Sequence, residues 1–429
     1  MGFIEILFQL LSFMFCFAIL GEPWRIVLRK FFEVFKSLDI PQILVLDVYL
    51  GGFLLYVIAI IPLHLFSITT LYAITLVSTV IVFWLHRKKF GNVAQTLHLF
   101  PKKSLLQNRR FFEPLLVVLM FLFSLVIQVL PLSALFFGSV RDTAIHSLFV
   151  QVLIENKQIP VTLQPYLDEG IIYPQGFTPV IAYSALILNY SPPQAVFYVT
   201  ALFNALTILG VYFLGKMLSL DGKRFMGLSL AFVFVFIASW PKSITWGSNT
   251  FVASFPLYFI CLSLFPFIAK SKLKTGTIFA TGVLFGYLSA LHLQTYEMLI
   301  ASLFVVWIYI AIKREKDRWS RLGYFIAISG LGLLVLSPFI YRQLTFYQYP
   351  YHNIGIPADV EIPIAQFSIS LVLWGIAWLF ENLASNALHS VALLALFFIS
   401  ILITIYFGRR KSLAGTHKLV ALGIATLFG

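Results

Sequence analysis

Long apolar runs alternate with short basic clusters along almost the whole chain. Runs at 2–20, 42–62, 64–85, 113–137, 194–219, 225–240, 250–269, 275–291, 296–313, 322–340 and 388–407 are each about the length that crosses a bilayer core as a helix. They lack the strict apolar–polar alternation of a barrel strand. Backbone groups in lipid must be satisfied within the segment, so helices are the expected elements. Two shorter runs behave differently. The run 177–190 is followed by Ser191-Pro192-Pro193, and the run 366–383 lies between two polar stretches. If either crossed the membrane, every later basic cluster would change sides. Both therefore read as interfacial or re-entrant helices. The last run starts near Leu419 and reaches Gly429 before it is long enough to cross, which raises the expectation of a further C-terminal region and of 11–12 transmembrane helices.

The basic residues fix an expected orientation. All but four of the 30 Lys and Arg residues fall in clusters on one side of this pattern: 25–36, 87–110, 216–224, 270–274, 313–321 and 409–418. The exceptions are Arg141, Lys157, Lys242 and Arg342. Such asymmetry is the positive-inside pattern and places the clusters in the cytoplasm. The stretch 24–39 reads as a basic amphipathic helix on the cytoplasmic surface, with Trp24, Val27, Phe31, Phe35 and Leu38 toward lipid. The linker 86–112 is the best boundary in the chain. It divides an N-terminal appendage of three helices, 1–112, from a transmembrane core, 113–429.

Composition agrees with the pattern. The chain of 429 residues is 60% hydrophobic and 11% charged, with a mean hydropathy of +0.93. A soluble domain carries about 25% charged residues. The net charge of +13 comes from the cytoplasmic clusters, which excludes a nucleic-acid reading. Cys16 and Cys261 both lie in apolar runs, so neither a disulfide framework nor a Cys/His metal signature is present. No Walker A, dinucleotide-binding or HExxH pattern occurs. The expected fold class is all-α, a polytopic integral membrane protein of the plasma membrane with juxtamembrane helices on its outer face.

Candidate chemistry gathers on that outer face. Asp142 and His146 are four residues apart, which places both on one face of a helix. A carboxylate and an imidazole so placed can share a proton, a metal or a substrate hydroxyl. The alternative is an N-cap at Asp142 with a solvent-exposed His146. Asp168-Glu169 forms a second acidic element, or a solvated turn before Gly170. His292 and Glu297 flank a very short outer turn. Arg342 and Lys242 are outer cations able to hold a phosphate, or snorkelling anchors. Asp47 lies inside an apolar run but about a turn and a half from its cytoplasmic end, within reach of water.

The order of these parts resembles the GT-C superfamily of membrane glycosyltransferases, over roughly 113–345. The resemblance rests on Asp142 just after a transmembrane helix, the amphipathic segment after it, and the turn Tyr173-Pro174-Gln175-Gly176-Phe177. It is similar to the archaeal and bacterial branches of that superfamily. What it implies is an inverting transfer of a sugar from a polyprenyl-phosphate donor, reached from the membrane lipids, to a glycan, lipid or protein acceptor on the non-cytoplasmic face. By the same resemblance Asp142 is the catalytic base. His146, Asp168, Glu169, Tyr173, His292, Glu297, Arg342 and Lys242 would contact substrate. A divalent metal, Mg or Mn, would sit on Asp142, His146, Asp168 and Glu169. The family's paired acids are absent, because Asp142 has no acid two residues away, which leaves a metal-free reaction open. Three helices precede the matching core, whereas the family places its acidic loop after the first helix. A carrier or flippase for a lipid-linked or anionic solute is the rival class, and a non-catalytic relative is the third.

Overall fold

The computed structural model describes residues 2–97, 109–132, 141–167, 171, 173–218, 225–238, 249–269, 272–312, 314–315 and 317–346, and for some of these, Asp142 and Arg342 among them, the backbone alone. The α-helices are α1 (Phe3–Leu28), α2 (Ile40–Ile60), α3 (Ile68–Leu97), α4 (Arg109–Leu132), α5 (Arg141–Asn156), α6 (Thr178–Leu188), α7 (Pro192–Leu218), α8 (Phe225–Ala238), α9 (Asn249–Ser263), α10 (Thr275–Leu291), α11 (Leu293–Ile312) and α12 (Arg318–Phe346). A short helical turn, Phe265–Ile268, prolongs α9, and a 3-10 turn, Glu33–Lys36, follows α1. Among the described residues there is no strand, and eight helices are long and apolar enough to cross a membrane. The all-α, multi-pass architecture is thus as expected. The helices α8 and α10, of 14 and 17 residues, are shorter than the usual span. The expected helix at 388–407 lies outside the described residues.

The run at 177–190 forms an 11-residue helix, α6, about 16 Å long. That length cannot cross a bilayer core. Asn189 ends it in the left-handed conformation, a backbone state that Asn tolerates.

The first helix departs from expectation. It continues through Pro23 to Leu28 instead of stopping near Leu20. Proline removes one backbone donor, but the charged residues on either side of it find partners on neighbouring helices: Arg25 with Asp47 of α2, and Glu22 with His86 of α3. Arg25 is therefore inside the protein, not on a surface helix, and Phe35 packs against Phe32 and Phe213 instead of lipid. Trp24, Val27 and Phe31 stay exposed. Asp47 is also corrected: it is buried and paired with Arg25, and does not reach water.

Two compact units are present, one of residues 1–300 and 319–342, the other of 301–318 and 343–429. In the first, helix α7 is buried along its whole apolar length, whereas α3 turns most of its surface outward. Helices α1 and α2 cross at glycines. A Cβ at Gly21 would lie 1.8 Å from the Asp47 carbonyl oxygen, and one at Gly51 would lie 2.4 Å from that of Phe17. Small residues at such crossings let backbones approach in the way membrane helices pack. The helices on either side of the basic linker share this unit. Tyr49 of α2 donates to the Ala253 carbonyl of α9, and Tyr212 of α7 donates to Asp39 Oδ2 at 2.6 Å. Lys216 Nζ lies 3.2 Å from Glu113 and 3.8 Å from Asp39, tying α4, α7 and the start of α2 together. Asp39 also caps α2, in a reciprocal pair with Gln42. In the second unit, Phe304 and Trp307 stack on α11 at 5.6 Å.

Candidate functional site

At the end of the first unit away from the basic clusters, the segment after α5 is strapped onto the helix ends. Phe66 N donates to the Lys157 carbonyl and Ile159 N to that of Ala59, which fixes the end of α5 on the α2–α3 turn. Phe149, Val152, Leu163 and Ile171 form a small apolar core beneath α5. The turn Tyr173–Phe177 then docks on the end of α10. Gly176 N donates to the Ala290 carbonyl at 2.8 Å. A Cβ at Gly176 would lie 2.6 Å from that same carbonyl, so the approach requires glycine. Gln175 locks the turn internally: its amide donates to the Tyr173 carbonyl and its oxygen accepts from Thr178 Oγ1.

This docking brings Tyr173 between two histidines. The His146 ring on α5 lies 5.5 Å from the Tyr173 ring in an edge arrangement. The His292 ring, in the break between α10 and α11, lies 6.5 Å from Tyr173 and 5.0 Å from Phe251. Thr250 Oγ1 and Tyr173 Oη share a hydrogen bond of 2.9 Å. His292 Nδ1 meets Thr295 Oγ1 at 3.2 Å, and Thr295 in turn meets Ser254 at 2.7 Å. Asn249, the first residue of α9, is fully buried. Its Nδ2 reaches Thr143 Oγ1 at 3.4 Å, while its Oδ1 has no partner.

Both histidines are buried, which pushes each imidazole down to a pKa of about 4. For His292, the proximity of His146 adds a second, smaller downward push. Both rings are neutral at pH 7, and each offers one donor and one acceptor nitrogen. Neither ring nitrogen of His146 is hydrogen-bonded among the described residues.

Of the residues expected from sequence, His146, Tyr173 and His292 are therefore brought together. The exposed His146 of the alternative reading is not what is found, since the residue is only 6% exposed. Asp142 stands in the first turn of α5, one turn before His146. Glu297 lies on an exposed face of α11. Lys242, Asp168 and Glu169 lie outside the described residues, as does the Arg342 side chain. Thr143, Asn249, Thr250, Phe251 and Thr295 were not expected. Each is a small polar or aromatic residue at the edge of an apolar run, where sequence pattern carries no signal for it.

The donor set bears on the metal. Among the described residues, no three His, Cys, Asp or Glu side chains converge. The groups that do approach one another are neutral imidazoles, whereas Mg²⁺ takes oxygen ligands. Of the four expected ligands, the side chains of Asp142, Asp168 and Glu169 lie outside the described residues. Comparisons with protein-family models, curated proteins and solved structures find no match to this chain.

Proposed function

We propose that the chain is an inverting glycosyltransferase, moving a sugar from a polyprenyl-phosphate carrier to an acceptor hydroxyl on the side opposite its basic clusters. The supporting observation is the convergence of His146, Tyr173, His292 and Asn249 from four separate segments, with Asp142 one helical turn from His146. In the reaction, the acceptor oxygen bonds to the anomeric carbon as the bond from that carbon to the phosphate oxygen breaks. The leaving polyprenyl phosphate keeps the electron pair, and the Asp142 carboxylate takes the acceptor proton. Neutral His146 and the free Asn249 oxygen suit sugar hydroxyls, which both donate and accept. Tyr173 and Phe251 supply ring faces and edges to the sugar.

The test is release of labelled sugar from a panel of polyprenyl-phosphate donors, in vesicles carrying the parent chain or Asp142→Asn. A positioned base contributes about 10²–10⁴-fold, so the variant should lose activity on that scale while eluting as a folded protein. Release that survives Asp142→Asn would remove Asp142 from the role of base. The rival reading, a carrier, draws on one observation: the buried charges among α1, α2 and α3.

A further inference from the structure

The end of α1 meets the first turn of α10 at the basic end of the first unit. The Phe31 carbonyl, just past α1, accepts from Thr277 Oγ1 at 3.2 Å. The Phe31 ring lies on Gly276, where a Cβ would come within 2.4 Å of it. Helix α1 has 26 residues and is about 39 Å long, against a bilayer core of about 30 Å, so its end reaches headgroup depth.

Two kinds of surface adjoin at this junction. Trp24, Val27 and Phe31 follow one another at roughly one helical turn, and all three are exposed apolar side chains. Lys30, beside Phe31, is exposed, and so are Lys272 and Lys274 just before α10. None of these three lysines forms an ion pair among the described residues.

The carboxylates of this region are mostly engaged elsewhere. Glu22 and Asp47 turn inward onto Arg25. Asp39 is tied to Tyr212 and Lys216. Glu33 is the one exposed acid between Glu22 and Asp39, and Lys36 follows it in the same short turn. Arg29 adds a further cation, with its Nε donating to the Phe35 carbonyl. Positive charge therefore prevails at the junction.

Cations beside an apolar strip at headgroup depth are complementary to a lipid with a negative headgroup. A zwitterionic lipid would bring its own ammonium among the lysines and cancel much of the attraction. A soluble anion would leave the apolar strip uncovered. We infer that this junction binds an anionic phospholipid of the leaflet at the basic end. Its phosphate sits among Lys30, Lys272 and Lys274, whose stems cover apolar surface while their ammonium groups reach the headgroup. Its acyl chains run from Phe31 along Val27 and Trp24 toward the bilayer centre. The site is separate from the His146–Tyr173–His292 group and does not depend on sugar transfer.

The test uses the full chain in nanodiscs of equal phosphatidylcholine and phosphatidylglycerol, with bromine on the acyl chains of one lipid or the other. Cys16→Ala and Cys261→Ala remove the native thiols. A fluorophore on Val27→Cys reports the junction, and one on Ile4→Cys reports the exposed surface at the other end of α1. Bromine quenches on contact, so the ratio of the two quenching efficiencies gives the local lipid preference. At Val27→Cys the anionic lipid should be favoured by about fivefold or more, and at Ile4→Cys by less than about twofold. Replacing Lys30, Lys272 and Lys274 together by Gln should bring the junction within about twofold of no preference. Replacing Arg87, Lys88 and Lys89 by Gln removes as many cations from α3 and should leave the junction's preference intact. Equal quenching by the two lipids at Val27→Cys would overturn the site. So would a preference that survives loss of the three lysines, or one that falls equally with either triple replacement. The contrast between the two reporters in the otherwise unaltered chain decides the matter if a triple variant does not elute as folded protein.

Discussion

His146 and His292 are the residues whose chemistry depends most on where the fold puts them. Both are held neutral by burial, with pKa values near 4 against an ordinary 6.5. The unfolded chain therefore binds more protons than the folded one between these values. Stability is complete above about pH 6.5 and falls as the pH drops toward 4, by a few kcal/mol for each ring. Thermal unfolding in detergent should show the midpoint falling across this window. His146→Phe should shrink the fall, because Phe carries no proton into either state. An equal fall in His146→Phe would place the acid sensitivity elsewhere. The i, i+4 spacing of Asp142 and His146 was legible in the sequence, because helical periodicity alone puts them on one face. The role of Asn249 was not, because an Asn at the start of an apolar run looks like any helix start. Only the fold brings its Nδ2 to Thr143 of α5 and leaves its Oδ1 buried without a partner.

At the scale of elements, backbone approach decides what is tolerated. Gly21→Ala would place a methyl group against the Asp47 carbonyl, whereas Gly330 on α12 has nothing within 4 Å. The first substitution should destabilise by about 1–3 kcal/mol or more, and Gly330→Ala should be neutral or slightly stabilising. Unfolding midpoints of the two variants beside the parent check the contrast. The apolar runs made nearly every described helix legible, since a bilayer-length run permits little else. The end of α1 was misread because Pro23 and the charges around it look like a boundary. What carries the helix through is a pairing with Asp47, 22 residues from Arg25 in sequence, which local pattern does not register. The turn Tyr173–Phe177 was legible as a motif. Its reason, Gly176 against the Ala290 carbonyl, becomes visible only when α10 is in place.

For the whole molecule, charge segregation and site position make one statement. Among the described residues of the first unit, the basic stretch 25–36 and Lys216 lie at one end of the helices, and the His146–Tyr173–His292 group lies at the other, beside the α2–α3 turn. On the proposed reading, the positive-inside pattern sets the site outside the cytoplasm, where a lipid carrier would supply the sugar. Tyr173 stands at the centre of this account, partly exposed between the two histidines. The most direct measurement is labelling of Tyr173→Cys by a membrane-impermeant thiol reagent, in sealed vesicles of both orientations, with and without a polyprenyl-phosphate sugar. The account predicts labelling from the side opposite the basic clusters, slowed when the donor is present. Labelling from the basic side, or labelling that no donor in the panel slows, would contradict it.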